Sequence, residues 1–380
     1  MNGAASGASL RRMLFLVEGQ IGDSLVLTPV IRAVKRTFPS ARVTVLVVER
    51  YTSPGEDVPP FSVLTASAEQ RERRVLGTNP HIDELLVVSR NRLRALRGIR
   101  RLAAEIAVVK ALRRRRFDTA VVTWSEDRFS LWAFLSGARI RVGQRKGGVH
   151  LLLTHRPTID RVRGGVLRYC CDLVRELGVA VESEETEYVV PESERRLVGE
   201  VLRAHGIRHD EFFAVVHAGA TADYKIWPPE RFAAVVDHLI LQRGITIVVC
   251  EGPLDRAVTS EVFRHAKSQP IRVKGMIAGL LERAGLCISN DSGPRHIAVA
   301  LKTPSMAFAR QFHDREWGVY AKTPTRMLLQ ASGSCPACAD GRCRDLTPTG
   351  ERYGAHCMRM ISTEQALEVV DRMLGVLLKG

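Results

Sequence analysis

The sequence predicts an α/β protein with two doubly wound, Rossmann-like domains. Short strands that are apolar on both faces alternate with helical segments, as parallel strands covered by helices do. This alternation stops at an acidic stretch, residues 182–194, and then begins again. A length of 380 residues is enough for two domains of ordinary size, each with its own core.

The interruption sets the predicted domain boundaries. We expect an N-terminal domain over residues 1–180, a linker over 181–195, a C-terminal domain over 196–334, and a cysteine-rich loop with a closing helix over 335–380. In doubly wound sheets, ligands bind outside the carboxyl ends of the strands. The two domains are therefore expected to face each other across a cleft that holds the ligands.

Each predicted strand is short and is followed by a helical segment. In the N-terminal domain the strands are expected at residues 13–17, 43–48, 85–88, 120–123 and 140–142. In the C-terminal domain they are expected at 213–217, 245–250, 287–289 and 305–308, with helices near 229–242 and 254–266 and another from Pro294. Residues 51–79, with three prolines near their start, receive no assignment.

Positive charge is concentrated in one segment. The chain has 56 Lys and Arg against 41 Asp and Glu, and between Arg90 and Arg116 ten Arg and Lys110 accompany only Glu105. Apolar residues recur there at helical spacing, namely Leu93, Leu96, Ile99, Leu102, Ile106 and Val109. This pattern predicts a basic amphipathic helix that binds an anionic membrane surface, a phosphorylated substrate or nucleic acid. The alternative is a solvated helix face without a partner.

The composition argues against a membrane-spanning or nucleic-acid-binding protein. No apolar run approaches the roughly 18 residues of a spanning helix. The apolar run at residues 13–17 is too short for a signal-peptide core and indicates a first strand. The basic segment has no aromatic residue between Arg90 and Arg115, so it lacks a stacking platform for bases. We expect a cytoplasmic protein without a nucleic-acid partner.

The stretch from Ile288 to His296 is predicted to end a buried strand, turn tightly and start a helix. Ser292 is expected to cap that helix, and Pro294 suits its first turn. Unpaired amides and the positive end of the helix dipole favour a phosphate or diphosphate there. Asp291 and the imidazole of His296 would lie on the same rim. The alternative is an ordinary strand-to-helix turn.

Two other strand ends of the C-terminal domain have a similar composition. His217 is followed by small residues, by the hydroxyl of Thr221 and by Lys225, a mobile cation suited to a phosphate. Glu251 is followed by Asp255, which could accept hydrogen bonds from a sugar hydroxyl or cap the next helix. Lys225 could also be a plain surface residue. Three such turns on one sheet edge predict a nucleotide-sized site.

The first strand of the chain is followed by Gly19, Gly22, Asp23 and Ser24. The glycines allow a sharp turn that would leave Asp23 at the carboxyl edge of the sheet. Asp23 is then either a helix cap or a general base facing a substrate. The absence of GxGxxG disfavours a dehydrogenase or an epimerase with a dinucleotide fold.

Four cysteines near the C-terminus form a possible metal site. Cys335, Cys338, Cys343 and Cys357 could hold a structural zinc or another soft metal, although the last spacing is looser than in common zinc fingers. Free or redox-active thiols are the alternative. The other four cysteines lie in apolar contexts and are expected in the core: Cys170, Cys171, Cys250 and Cys287.

The motifs together resemble glycosyltransferase family 9, the heptosyltransferases. The similarity rests on three segments in order, residues 22–29, 217–228 and 290–298. It implies a GT-B fold with the acceptor on the N-terminal domain and a nucleotide-sugar on the C-terminal one. It also implies an inverting transfer that needs no metal cofactor. Arg295 departs from the pattern, because an apolar residue is expected there.

The resemblance implies roles for individual residues. Asp23 would deprotonate the acceptor hydroxyl. Its neighbours Gly22 and Ser24 would lie on the acceptor side of the site. Lys225 would hold the departing diphosphate, aided by Ser292 and Gly293. The rest of the donor pocket would be lined by Thr221, Asp255, Asp291 and His296.

The sequence therefore predicts transfer of heptose, or a related sugar, from an ADP-sugar to an anionic acceptor such as the lipopolysaccharide inner core. A protein acceptor is the alternative within the class. A nucleic-acid binder with a four-cysteine metal finger is the alternative from another class. A lipid-linked acceptor would explain the basic segment through peripheral contact with an anionic inner membrane.

Overall fold

The computed structural model describes residues 10–49, 64–65, 75–124, 126–145, 148–159, 161–311, 320, 322–332, 335–338, 347–348 and 350–379. The chain divides into two compact units, Met1–Tyr188 and Val189–Gly380. Each unit has its own six-stranded sheet. Within the described ranges, every helix is too short or too polar to cross a membrane.

The first unit is built on a mostly parallel sheet. Its strands are β1 (Arg12–Glu18), β2 (Arg42–Glu49), β3 (Leu64–Thr65), β4 (Glu84–Ser89), β5 (Thr119–Val122) and β6 (Ile140–Gly143). They lie in the order β3-β4-β2-β1-β5-β6, and only the β3–β4 pair is antiparallel. β1 and β2 are buried along almost their whole length, which confirms the prediction of strands covered on both faces.

Helices follow the strands of this sheet, as predicted. They are α1 (Ile21–Leu25), α2 (Thr28–Thr37), α3 (Arg90–Ala95), α4 (Gly98–Arg114), α5 (Asp127–Leu135) and α6 (Arg161–Arg175). Helices α4 and α5 contribute to one core cluster with β1, β2, β4 and β5, so they cover the same face of the sheet.

The basic segment does not form the single amphipathic helix predicted for it. It is divided into α3 and α4, because Leu96 and Arg97 are extended and Gly98 takes a positive φ of 52°. The predicted apolar stripe does not pack as one surface either. Three of its members are exposed instead, namely Ile99, Leu102 and Ile106. The side of α4 that meets the sheet carries Ala104, Val108 and Leu112.

The acidic stretch that interrupts the pattern is held against the first unit by ion pairs. Glu187 accepts from Arg32 of α2 at 2.6 Å. Glu184 accepts from Arg175 at 3.0 Å, and the backbone N–H of Glu187 donates to Thr28. These acids therefore follow the surface of α2 and α6.

The second unit is built on a fully parallel sheet. Its strands are β7 (Phe213–His217), β8 (Thr246–Glu251), β9 (Ile271–Lys274), β10 (Leu286–Asn290), β11 (Ser305–Phe308) and β12 (Arg326–Leu329). Their order is β12-β11-β10-β7-β8-β9. The helices are α7 (Glu192–Ala204), α8 (Pro229–Asp237), α9 (Arg256–His265), α10 (Ile277–Arg283), α11 (Gly293–Ala300), α12 (His356–Met360) and α13 (Thr363–Leu377).

Both sheets are doubly wound, which confirms the predicted fold class of two Rossmann-like domains. In the first sheet the strand order reverses between β1 and β5, and in the second it reverses between β7 and β10. Such a switch point leaves an opening between the loops that leave the two strands in opposite directions. The turns after β1, β7 and β10 lie at these points, and they are the turns that the sequence analysis selects.

Candidate active site

Asn290 ties together the two loops at the switch point of the second unit. It is the last residue of β10 and is fully buried. Its side-chain amide donates to the carbonyl of Ala218 at 2.7 Å and accepts from the backbone N–H of Trp227 at 2.8 Å. Both ends of the loop between β7 and α8 are therefore fixed to the end of β10. The sequence motif contains Asn290 but does not predict these contacts.

Lys225 lies on that loop, at the end of a short 3-10 turn, Asp223–Lys225. The carbonyls of Asp223 and Tyr224 accept hydrogen bonds from the backbone N–H groups of Gly354 and Ala355, at 3.0 and 2.8 Å. The turn is thus supported by the C-terminal segment. Lys225 is partly buried, and Thr221, earlier on the loop, is exposed.

Trp227 anchors the far end of the loop in the core of the second unit. Its ring stacks on Phe308 with centroids 3.9 Å apart, and its indole N–H donates to the carbonyl of Ile361 at 3.0 Å. Because the indole is both stacked and hydrogen-bonded, it restricts the backbone conformation of the loop residues that precede Trp227. The backbone that positions Lys225 is therefore held at several points.

Asp255 lies against the loops that follow β7 and β8. Its Oδ2 is 3.1 Å from Nε2 of His217. A Cβ atom on Gly219 would be 2.0 Å from Oδ1 of Asp255, and one on Gly252 would be 2.3 Å from Oδ2. A side chain at either position would force the Asp255 carboxylate to move. Asp255 precedes α9 but makes no capping hydrogen bond with its side chain, so the cap interpretation is wrong.

His217 completes this contact from the end of β7. It is buried, and no described residue forms a hydrogen bond with its Nδ1. The imidazole and the Asp255 carboxylate together place polar atoms between two strand ends. This arrangement is compatible with the predicted role of Asp255 in binding a donor hydroxyl.

The predicted capping of α11 by Ser292 is also wrong. Ser292 occupies the N-cap position, but its side chain does not accept from the helix amides. Its hydroxyl instead donates toward the carbonyls of Gly219 and Asn290, both at 3.4 Å. Gly293 is the first helical residue, and a proline follows in the first turn as predicted. The Ser292 side chain therefore leaves the amides of this turn to other acceptors.

Asp291 is paired with Arg295, one helical turn later. Both side chains are buried, and the guanidinium donates to Oδ1 of the carboxylate. The charge of Arg295 offsets that of Asp291, so the N-terminus of α11 keeps its positive potential next to a buried carboxylate. This pairing accounts for an arginine at a position where an apolar residue is expected.

Tyr320 connects Arg295 and His296. Its hydroxyl is 2.8 Å from Nδ1 of His296, and its ring lies 5.4 Å from the Arg295 guanidinium carbon. Arg310, just after β11, makes a similar contact with the ring of Tyr224 at 5.1 Å. Neither Tyr320 nor Arg310 is among the residues predicted from the sequence. The strand-end rule would have found Arg310, because β11 neighbours β10, but no local pattern indicates Tyr320.

Asp23 is buried at the corresponding edge of the first unit. It lies in the first turn of α1, directly after β1, and only 4% of it is exposed. The N-cap of α1 is Gln20, so the alternative of Asp23 as the cap is wrong. Gly22 and Ser24, its neighbours in α1, are buried as well. A Cβ on Gly19 would be 2.7 Å from Val47, so the turn that leads to Asp23 passes close to β2.

An ion network that the sequence analysis misses lies at the same sheet edge. Glu18, the last residue of β1, accepts from Arg90 at the start of α3. Arg90 also donates to Glu126 at 3.0 Å. Glu18 is fully buried and Arg90 nearly so. The network joins the ends of β1, β4 and β5, and removing one partner would leave a buried charge uncompensated.

The C-terminal cysteines contribute to the core of the second unit. Cys335, Cys338 and Cys357 are buried, and Cys343 lies outside the described residues. In the part of the chain that the structure describes, no three His, Cys, Asp or Glu side chains come together as metal ligands. Burial raises the pKa of Cys171, Cys250 and Cys287 to about 12, as expected for core thiols.

Comparison with known proteins identifies the family. The family model described as glycosyltransferase family 9 (heptosyltransferase) matches residues 106–344, more than half of the chain.

The chain belongs to glycosyltransferase family 9.

The resemblance seen in the sequence motifs is therefore confirmed, and so is the prediction of a glycosyltransferase. Among curated relatives, this family 9 chain is similar to lipopolysaccharide heptosyltransferase 3 of Escherichia coli K12. The two are 26% identical over 333 residues, which cover 81% of this chain and 88% of that protein.

Solved structures agree on the fold of this family 9 member. A glycosyl transferase family 9 protein from Veillonella parvula matches with a TM-score of 0.74 and 21% identity, over 98% of this chain and 99% of the other. The ADP-heptose lipopolysaccharide heptosyltransferase II of E. coli matches with a TM-score of 0.69 and 16% identity, over 97% and 99%.

Proposed function

We propose that this glycosyltransferase moves heptose, or a related sugar, from an ADP-sugar to an anionic saccharide acceptor of the lipopolysaccharide inner-core type. The family assignment supports the sugar transfer, and the names of the relatives support the sugar and the acceptor. A protein carrying an acceptor hydroxyl is the alternative substrate. The reaction is proposed to invert the anomeric centre and to need no catalytic metal.

The arrangement at the switch point of the second unit carries the donor half of this proposal. The hydrogen bonds of Asn290 hold the loop of Lys225 beside the turn that starts α11. A cation and the N-terminus of a helix both favour the binding of a diphosphate. Asp255, supported by His217, would accept a hydrogen bond from a donor hydroxyl.

The proposed chemistry follows from what each group can do. As the bond to the diphosphate lengthens, the sugar becomes oxocarbenium-like and negative charge grows on the leaving group. Lys225 and the first amides of α11 stabilise that charge. Asp23 removes the proton of the acceptor hydroxyl as its oxygen attacks the anomeric carbon. Attack opposite the leaving group inverts the centre.

Nucleotide binding tests the donor assignment. We expect calorimetry to detect ADP and an ADP-sugar, and to detect neither GDP nor UDP at the same concentrations. ADP supplies the diphosphate that we assign to Lys225 and α11, and only its base differs from those of the controls. Equal affinity for the three diphosphates would mean that the site reads phosphate alone, and it would remove the ADP-sugar from the proposal.

A structural metal held by Cys335, Cys338, Cys343 and Cys357 stays a separate proposal. The turn that contains Cys335 and Cys338 is closed by a 2.9 Å backbone hydrogen bond between them. Elemental analysis of the purified chain is expected to give about one zinc, or one other soft metal ion, per molecule. Cys357→Ser should lower that content, whereas Cys250→Ser, in a core strand, should leave it unchanged. Metal-free wild-type protein with normal stability would contradict the site.

A further inference from the structure

Helix α4 has apolar residues on two opposite sides. One side packs against the sheet through Ala104, Val108 and Leu112. The other side carries Ile99, Leu102 and Ile106, which are 82%, 60% and 43% exposed. Because these three are spaced i, i+3 and i+7, they form one stripe along two turns of the helix. We call this stripe the outer apolar face.

Single exposed apolar residues are ordinary on a soluble protein, but an aligned group on one helix indicates a surface that contacts something else. The neighbouring helix α5, which covers the same face of the sheet, also exposes Leu131 and Phe134. Exposed apolar side chains are thus present on two helices of one layer.

Exposed cations accompany the outer apolar face, and two of them, Lys110 and Arg113, continue its stripe one and two turns beyond Ile106. The exposed basic residues on and just before α4 are Arg94, Arg97, Arg100, Arg101, Lys110, Arg113 and Arg114. The lone acid of the segment, Glu105, is directed toward α5, where it accepts from the indole N–H of Trp132 at 2.9 Å and lies 3.4 Å from Nε of Arg128. The outer surface of α4 therefore combines positive charge with aliphatic side chains and no carboxylate.

We propose that the outer apolar face and its basic rim dock the protein on an anionic phospholipid bilayer. Lipid phosphates match the arginines, and the region just below the headgroups takes up the three aliphatic side chains. Nucleic acid would satisfy only the cations, because the three side chains of the outer apolar face are aliphatic and cannot stack on bases. This inference deepens the proposed function, since it names the surface that would hold the enzyme beside a lipid-linked acceptor.

Vesicle co-sedimentation of the full chain tests the apolar contribution. We expect binding to vesicles of equal phosphatidylglycerol and phosphatidylcholine, and far weaker binding to pure phosphatidylcholine. The variant Ile99→Asn/Leu102→Asn/Ile106→Asn should partition at least about tenfold more weakly. The matched control Leu241→Asn/Leu254→Asn changes side chains that are 58% and 69% exposed on the second unit, and it should bind like the wild type.

The charged rim is tested separately. Lys110→Glu/Arg113→Glu, which changes the two exposed cations on the same side of α4 as Ile106, should also weaken binding by about tenfold or more, and added salt should lower wild-type binding. If both α4 variants bound the anionic vesicles like the wild type, the bilayer assignment would be overturned. It would equally be overturned if the protein did not bind vesicles but bound RNA tightly, and if the triple Asn variant kept that RNA binding.

A soluble acceptor separates this inference from the proposed function. The triple Asn variant should transfer sugar to a water-soluble core saccharide at the wild-type rate, because its substitutions lie on an outward helix face. If the wild type bound vesicles but did not transfer sugar, the proposed function would be wrong and the docking face would be retained. If it transferred sugar but did not bind vesicles, the docking face would be wrong and the proposed function would be retained.

Discussion

Replacing Asp23 with Asn is expected to lower kcat for sugar transfer by about a thousandfold, with ADP affinity unchanged. General-base catalysis contributes about 10²–10⁴ to a rate, and Asn keeps the shape of Asp but cannot take a proton from a hydroxyl. Because only 4% of Asp23 is exposed, an isosteric change is needed to avoid disturbing α1. Initial rates at saturating donor and acceptor would measure the loss, and calorimetry with ADP would measure donor binding.

Asp127→Asn is the matched control for this experiment. Asp127 also lies in the first turn of a helix, α5, just beyond the carboxyl end of β5, but it is exposed. A rate loss shared by both variants would point to a general electrostatic effect of the first unit. Wild-type turnover in the Asp23 variant would exclude this carboxylate as the base. Loss of ADP binding would place it in the donor site instead.

The central strands and the turns that follow them could be predicted because their signals are local. β1, β7 and β10 are apolar on both faces and are followed at once by small and polar residues. Carboxyl ends of parallel strands share an edge, so the groups after β7 and β10 had to lie near one another. The contact between Asn290 and Ala218 realises that expectation.

The edge strands of the second sheet were missed for a physical reason. β9 and β12 have only four residues each and lie at opposite edges of the sheet. An edge strand has a neighbouring strand on one side only, so fewer of its residues need to be apolar. In β9, Arg272 and Lys274 alternate with apolar residues and are exposed. Such a pattern is too short to distinguish a strand from a loop.

Contacts between residues that are distant in sequence could not be predicted either. Ser292 has the right type and position for a cap, yet its hydroxyl turns to a carbonyl on the β7 loop because that loop passes close by. His296 contacts Tyr320, 24 residues away, in a stretch without periodicity. In the basic segment, the helical spacing of the apolar residues predicts helical structure, but it does not predict which side of α4 packs against the sheet. Ala104, Val108 and Leu112 pack there, while Ile99, Leu102 and Ile106 are exposed.

Replacing Lys225 with Met is expected to lower kcat/KM for the donor by roughly a hundredfold, which corresponds to about 2.7 kcal/mol of transition-state stabilisation. The side-chain stem is kept and the cation is lost. Since charge on the diphosphate increases as its bond to the sugar breaks, the transition state should lose more than bound ADP does. Steady-state rates against donor concentration, together with ADP calorimetry, would separate the two.

Lys274→Met provides the comparison, because Lys274 ends β9 at the edge of the same sheet and is exposed. It should behave like the wild type. The Lys225 variant should keep its fold, because backbone hydrogen bonds to Gly354 and Ala355 and the buried ring of Trp227 hold its turn without the ammonium group. If it bound ADP and turned over like the Lys274 variant, the diphosphate would have to be held by the α11 amides alone. If it lost stability, the ammonium would be part of what holds the turn.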